Sequence, residues 1–113
     1  MKTKTRDVGD VRILEIEGKV TIGAGDVELR RQIEESVAAG HNKILLDLKG
    51  VSHMDSSGIG EMVGCYTTVA RRGGQMKLLN LTQKITDILQ VTQLITVFDV
   101  FDTEKEALAS FTS

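Results

Sequence analysis

The sequence contains no proline and no tryptophan, and it has one cysteine, one tyrosine and three phenylalanines. Each scarcity excludes something. A single thiol, Cys65, leaves no internal disulfide and no second sulfur for a structural zinc, which fits a reducing compartment and a cytoplasmic location. No stretch approaches the ~20 consecutive apolar residues that cross a bilayer, so no membrane partner is expected. The opening run Met1-Lys2-Thr3-Lys4-Thr5-Arg6 is followed by acids and alternation rather than by the apolar segment of a signal peptide. Concentrated positive charge is missing too. The net charge is −2, and the adjacent basic pairs Arg30-Arg31 and Arg71-Arg72 have no aromatic residues among them, so no nucleic-acid partner is expected. With no proline, no repeat and no low-complexity tract, no linker divides the chain.

What is present is ordinary globular composition, 41% hydrophobic and 27% charged over 113 residues. That length suits one domain, residues 1–113, because single domains cluster around roughly 100–150 residues. Residues 11–17 alternate as a strand with one wet face, and Lys4–Val8 with Gly9-Asp10 behind it makes a hairpin partner. Gly18 to Gly25 reads as a loop. Asp26 suits a helix N-cap, with Leu29, Ile33 and Val37 four apart on one face and Gly40 as the stop. Residues 43–48 form a short apolar run typical of a strand covered on both sides. Ile59, Met62, Val63, Tyr66, Val69 and Ala70 follow helical spacing over 59–72, ending at Gly73-Gly74. Another buried strand at 76–79, a helix capped by Thr82 and carrying Ile85, Ile88 and Leu89, a short strand at 97–100 and a helix at 104–111 complete the order. The alternation predicts an α/β domain: a mixed, mostly parallel sheet of four or five strands, about four helices and an N-terminal β-hairpin.

The segment His53-Met54-Asp55-Ser56-Ser57-Gly58-Ile59-Gly60 falls between a strand and the helix after it, where open α/β sheets place their ligands. A helix start there also welcomes an anion. Enzymatic signatures fail on inspection. Neither serine sits in Gly-x-Ser-x-Gly, and no Gly-Lys-Ser/Thr is present. Gly58-Ile59-Gly60 reaches its next glycine at Gly64, one position late for the dinucleotide fingerprint. No catalysis and no cofactor of the chain's own are expected. The bland alternative is that Asp55-Ser56-Ser57 merely starts a helix. Against it stand Gly58 and Gly60 in the first helical turns, where each costs roughly 0.5–1 kcal/mol relative to alanine. Two such positions are better explained by a surface stripped of side chains around Ser57, which another protein can approach.

The run Leu46-Asp47-Leu48, then Val51, then Met54-Asp55-Ser56-Ser57-Gly58-Ile59-Gly60 resembles the central signature of STAS domains, specifically the bacterial anti-sigma factor antagonists. Gly18, the Arg71–Gly74 turn, Leu78-Leu79-Asn80 and the 94–98 segment extend the resemblance over nearly the whole chain. It implies partner switching. The unphosphorylated antagonist binds an anti-sigma factor that is also a serine kinase and frees the sigma factor. That kinase, which binds the ATP, phosphorylates a serine at the start of the second helix, and a PP2C-type phosphatase resets the switch. Carried over by position, the phosphorylated serine is Ser57. Asp55, Ser56, Gly58, Ile59 and Gly60 then form the acceptor loop and partner contact, and Thr21, Gly23 and Gly25 belong to the neighbouring contact loop.

Two other readings compete. STAS-like domains also serve as scaffolds of signalling particles or as accessory modules of membrane transporters, with no dependence on Ser57. A small-molecule or hydrolytic domain would need a deep pocket lined by both His53 and Ser57. Elsewhere the bland readings prevail. Cys65 is a core filler, Met54 and Met62 are core, and Phe98, Phe101 and Phe111 close the far end of the sheet. Asp99, Asp102, Glu104 and Glu106 make a solvated edge.

Overall fold

A computed structural model describes residues 1–111; the last two residues of the expected 1–113 domain lie outside the described part. Five strands, β1 (Lys2–Val8), β2 (Val11–Val20), β3 (Lys43–Met54), β4 (Gln75–Leu79) and β5 (Val100–Phe101), form one sheet in the order β1-β2-β3-β4-β5. The first pair is antiparallel and all later neighbours are parallel, as the alternation predicts. The helices are α1 (Gly25–Ala38), α2 (Ser56–Arg71), α3 (Gln83–Val91) and α4 (Glu104–Ser110), with a short 3-10 turn at Leu94–Thr96.

Strand periodicity divides the core between the two faces of the sheet. Leu14 and Ile16 of β2, Ile44, Leu46 and Leu48 of β3 and Met76 and Leu78 of β4 are buried under α1, α2 and α3. Alternate residues Val11, Ile13, Leu45 and Leu79 point the other way and are covered by Ala107 and Leu108 of α4. The β1–β2 hairpin closes with Val8 opposite Val11, and Gly9 takes a positive φ of 61° at the first position of the two-residue turn. Beyond the hairpin β1 is a free edge carrying Lys2, Lys4 and Arg6, charges that discourage another chain from pairing there.

Several boundaries differ from the expected ones, each for a tertiary reason. The third strand runs on to Met54 instead of stopping at residue 48, because its ladder with β2 continues past the apolar run: Gly50 pairs with Glu17 and Met54 with Val20. Gly50 permits this; a Cβ there would lie 3.0 Å from the Ile16 carbonyl and 2.8 Å from Glu17 Cγ. The second strand likewise extends to Val20, so the loop expected from Gly18 shrinks to residues 21–24. The first helix is capped by Ala24 without a side-chain bond, not by Asp26, which lies in its first turn. The strand expected at 97–100 is only Val100–Phe101. Phe98 leaves the sheet line to pack edge-on against Tyr66, ring centres 5.4 Å apart, on the α2 face.

The aromatic residues therefore do not close one end together. Phe101 and Phe111 lie on the α4 face, where they flank Lys77, whose ammonium is 4.9 Å from the Phe111 ring centre. Lys77 Nζ also donates to the Ser110 carbonyl at 2.9 Å and to its hydroxyl at 3.0 Å, fastening the end of α4 to β4. The acidic edge is also partly engaged rather than merely solvated. Asp99 lies 3.7 Å from Lys77, and Glu104 pairs with Arg6 of β1. Cys65 and Met62 are buried as expected, and burial pushes the Cys65 thiol up to about 12, so it stays protonated.

Candidate functional site

The strand-to-helix corner after β3 is organised by one carboxylate. Asp55 has the extended backbone of an N-cap, φ −98° and ψ −175°. Its Oδ1 accepts the Gly58 N–H at 3.0 Å, and its Oδ2 accepts the Ile22 N–H at 3.0 Å. One side chain thus caps α2 and ties it to the loop that precedes α1. These N–H donors, Gly58 first and Ile22 second, hold the Asp55 carboxyl below its ordinary pKa, since both favour the ionised form. The facing loop is stapled in turn. Asp26 Oδ1 accepts the Gly23 N–H at 3.0 Å, and Gly23 has a φ of 98°.

Ser56 and Ser57 are the first two residues of α2. Ser56 is exposed and Ser57 is half-buried; among the described residues the Ser57 hydroxyl has no hydrogen-bond partner. The capping work is done by Asp55, which leaves this hydroxyl unused. Exposed apolar side chains lie on the neighbouring segments. Ile22 is 74% exposed and Val27 50% exposed, on the loop that Asp55 holds and on the first turn of α1.

The glycines of the site divide into two kinds. Gly60 and Gly64 meet nothing within 4 Å of an added Cβ, so they leave the outer face of α2 bare. Gly58 was expected to do the same, but it is buried. Its Cβ would lie 2.2 Å from the Val20 carbonyl, so this glycine serves the close approach of α2 to β2. Gly25 is its counterpart in α1, buried, with a Cβ position 2.4 Å from the Lys19 carbonyl. Ile59 is also buried, in the core beneath the helix. Of the residues expected at the contact, Asp55, Ser56, Ser57, Gly60, Thr21 and Gly23 are wholly or partly accessible, while Gly25, Gly58 and Ile59 shape the surface from beneath.

Sequence reasoning passed over Ile22, Val27, Arg30 and Glu61. A lone isoleucine inside a glycine-containing loop was a legible signal of exposed apolar surface. No local pattern marks the Arg30–Glu61 pair, which joins α1 to α2 through two bonds of 2.8 and 3.0 Å.

A groove of about 280 Å³ lies elsewhere, between the end of β3 and α3, and His53, Met54, Thr82, Lys84, Ile85 and Asp87 are among its lining residues. Ser57 does not line it. A hydrolytic reading required one pocket shared by His53 and Ser57; the groove that His53 lines is not shared with Ser57. Among the described residues no helix is long and apolar enough to cross a membrane.

A model of the STAS domain matches residues 2–107. The chain belongs to the STAS domain family. It is 28% identical over 99 residues to an anti-sigma F factor antagonist of Paenibacillus polymyxa, a match covering 87% of this chain and 84% of the relative. A Thermotoga maritima protein described as a candidate anti-sigma factor antagonist superposes with a TM-score of 0.87 at 26% identity, over 95% of this chain and 92% of that one. The Bacillus cell fate determinant SpoIIAA has the same STAS fold in its unphosphorylated and phosphorylated forms, at TM-scores of 0.74 and 0.73 and 22% identity. The unphosphorylated form covers 96% of both chains; the phosphorylated form covers 96% of this chain and 97% of its own.

Two outcomes follow from the corner's construction. Gly58→Ala forces a clash with backbone and should destabilise by about 1–3 kcal/mol, whereas Gly60→Ala, in open space, should stabilise by about 0.5–1 kcal/mol; urea titration reads both. The STAS corner should also be acid-sensitive through Asp55. Because its folded pKa is depressed, its contribution is complete above the unfolded value near 3.8 and fades as pH falls through the folded one. The Tm of Asp55→Asn should therefore lie below that of the parent at pH 7, and the gap should close towards pH 3.

Proposed function

We propose that this chain is a phosphorylation-controlled anti-sigma factor antagonist. Its unphosphorylated form binds an anti-sigma factor that is also a serine kinase, and phosphorylation of Ser57 releases it. The observation that carries this reading is the Ser57 hydroxyl itself, unpartnered and partly exposed in the first turn of α2. Bare Gly60 follows three residues along α2, and the exposed Ile22 is on the loop that Asp55 ties to this corner. The antagonist names of the curated relatives support the same role. The partner supplies ATP. Its γ-phosphoryl moves to Ser57 Oγ, ADP leaves, and the hydroxyl proton passes to a base on the kinase. A PP2C-type phosphatase returns the serine, and the cycle runs in the cytoplasm without catalysis by this chain.

Physical chemistry makes the modification tolerable to the fold and disruptive to the complex. Phosphoserine carries about −1.5 to −2 charges at neutral pH, and a helix N-terminus favours such an anion by about 0.3–1 kcal/mol. The domain should stay folded. A docked protein meets a bulky dianion at the start of the bare face of α2. A loss of only about 3 kcal/mol lowers affinity more than a hundredfold.

Incubation with a cognate kinase and ATP should place one phosphate on Ser57 and none on Ser56, read by mass spectrometry of the digested chain. In a binding titration Ser57→Ala should retain the kinase while Ser57→Glu loses it at least tenfold. Equal affinities of the two variants would favour a scaffold that does not depend on Ser57.

A further inference from the structure

A phosphoryl group on Ser57 would arrive beside an ion pair that is already built. Because β2, β3 and β4 are parallel, the crossover helices α1 and α2 both run against the strands and therefore in the same direction as each other. They are also in step. Asp26 and Ser57 each lie one residue past the first residue of their helix, and Arg30 and Glu61 each lie five past. Arg30 Nε and Nη2 donate to the two carboxylate oxygens of Glu61 at 2.8 and 3.0 Å. Ser57 is four residues before Glu61 on α2, so the two share a face and are separated by about 6 Å along the axis.

We propose that Arg30 is the receiver of the phosphate: when Ser57 is phosphorylated, the guanidinium leaves Glu61 and takes two phosphoryl oxygens. The inference rests on Ser57 being the modified residue, as proposed above. A guanidinium fork matches phosphate as well as carboxylate, and the dianion offers more charge and three acceptor oxygens. Lys19 and His53, paired in register at the ends of β2 and β3 below the corner, are exposed, while the carboxylates near position 57 oppose a phosphate. Asp55 stands at the cap, Asp26 is level with it on α1, Glu61 is one turn along α2, and Glu34 lies a further turn along α1. Arg31 is not the counter-ion, since Glu28 and Glu35 on its own helix hold it. The Arg30 side chain is 52% exposed, so little packing resists its movement, and neither Gly60 nor Gly64 carries a side chain to crowd it.

The exchange has a consequence for the partner. Glu61, with a side chain only 17% exposed in the pair, loses its cation and becomes an unpaired carboxylate one turn from the phosphate. Phosphorylation then changes more of the contact than one side chain.

The full chain with phosphoserine incorporated at position 57 during synthesis provides the test, using ³¹P chemical shift against pH. With Arg30 in place the second phosphate ionisation should fall below its ordinary value of about 6. Arg30→Ala should raise it by about one unit, a tenfold change in proton affinity. Arg30→Lys should recover part of the shift, and Glu61→Gln, which frees Arg30 and removes a like charge, should lower the ionisation further. Coincident titrations of the parent and a folded Arg30→Ala would overturn the proposal. Should that variant not fold, an unchanged titration in Glu61→Gln would overturn it instead. No kinase enters this experiment, so a flat result removes the role of Arg30 and leaves kinase control standing. Failure of a kinase to modify Ser57 removes the functional reading and leaves the titration as it is.

Discussion

The two hydrogen bonds accepted by Asp55 are the constraint on which the rest of the site depends. One oxygen closes the first turn of α2 through Gly58; the other holds the loop before α1 through Ile22. Because the acid does the capping, the serines that follow it need not. Ser57 can then carry an unpaired hydroxyl at a rigid helix start, a position that a frayed terminus could not hold for recognition. The same bond to Ile22 ties the loop that carries this exposed apolar side chain to the α2 corner. Rigidity and accessibility, which usually oppose one another, come here from a single carboxylate.

Beneath the corner, close backbone approach makes the geometry possible. Gly25 and Gly58 are the entry points of α1 and α2, and both would clash with carbonyls of the β2 terminus if they had side chains. The two parallel helices are thereby set down in step on the same strand end. Their facing residues pair across the gap, as Arg30 and Glu61 do. A negative group added at position 57 enters an electrostatic environment already arranged by that alignment.

Much of this architecture was legible from the amino-acid order. Helical spacing identified α2 and α3, apolar runs identified β3 and β4, and Gly9-Asp10 marked the hairpin that forms. The misses share a cause. Strand β3 outruns its apolar segment because backbone pairing with β2 does not require apolar side chains, and Asp26 is not the cap of α1 because it already lies in the first turn, its carboxylate turned back to Gly23. Phe98 reads locally as strand but is drawn to Tyr66 by packing. At the site, Asp55 and the serines were readable because capping chemistry is local. Gly58 was assigned to the surface because a sequence does not reveal which side of a glycine is crowded. The Arg30–Glu61 pair joins residues 31 apart and leaves no local trace.

The central claim is that Ser57 can take up a dianion without loosening the fold that presents it. Comparison of ¹H–¹⁵N correlation spectra of the unmodified chain and the chain phosphorylated at Ser57 tests this most directly. The account predicts shift changes confined to the 21–34 and 55–64 segments, with the amides of β3, β4 and α4 unmoved. Loss of dispersion, or shifts spread through the sheet, would contradict it.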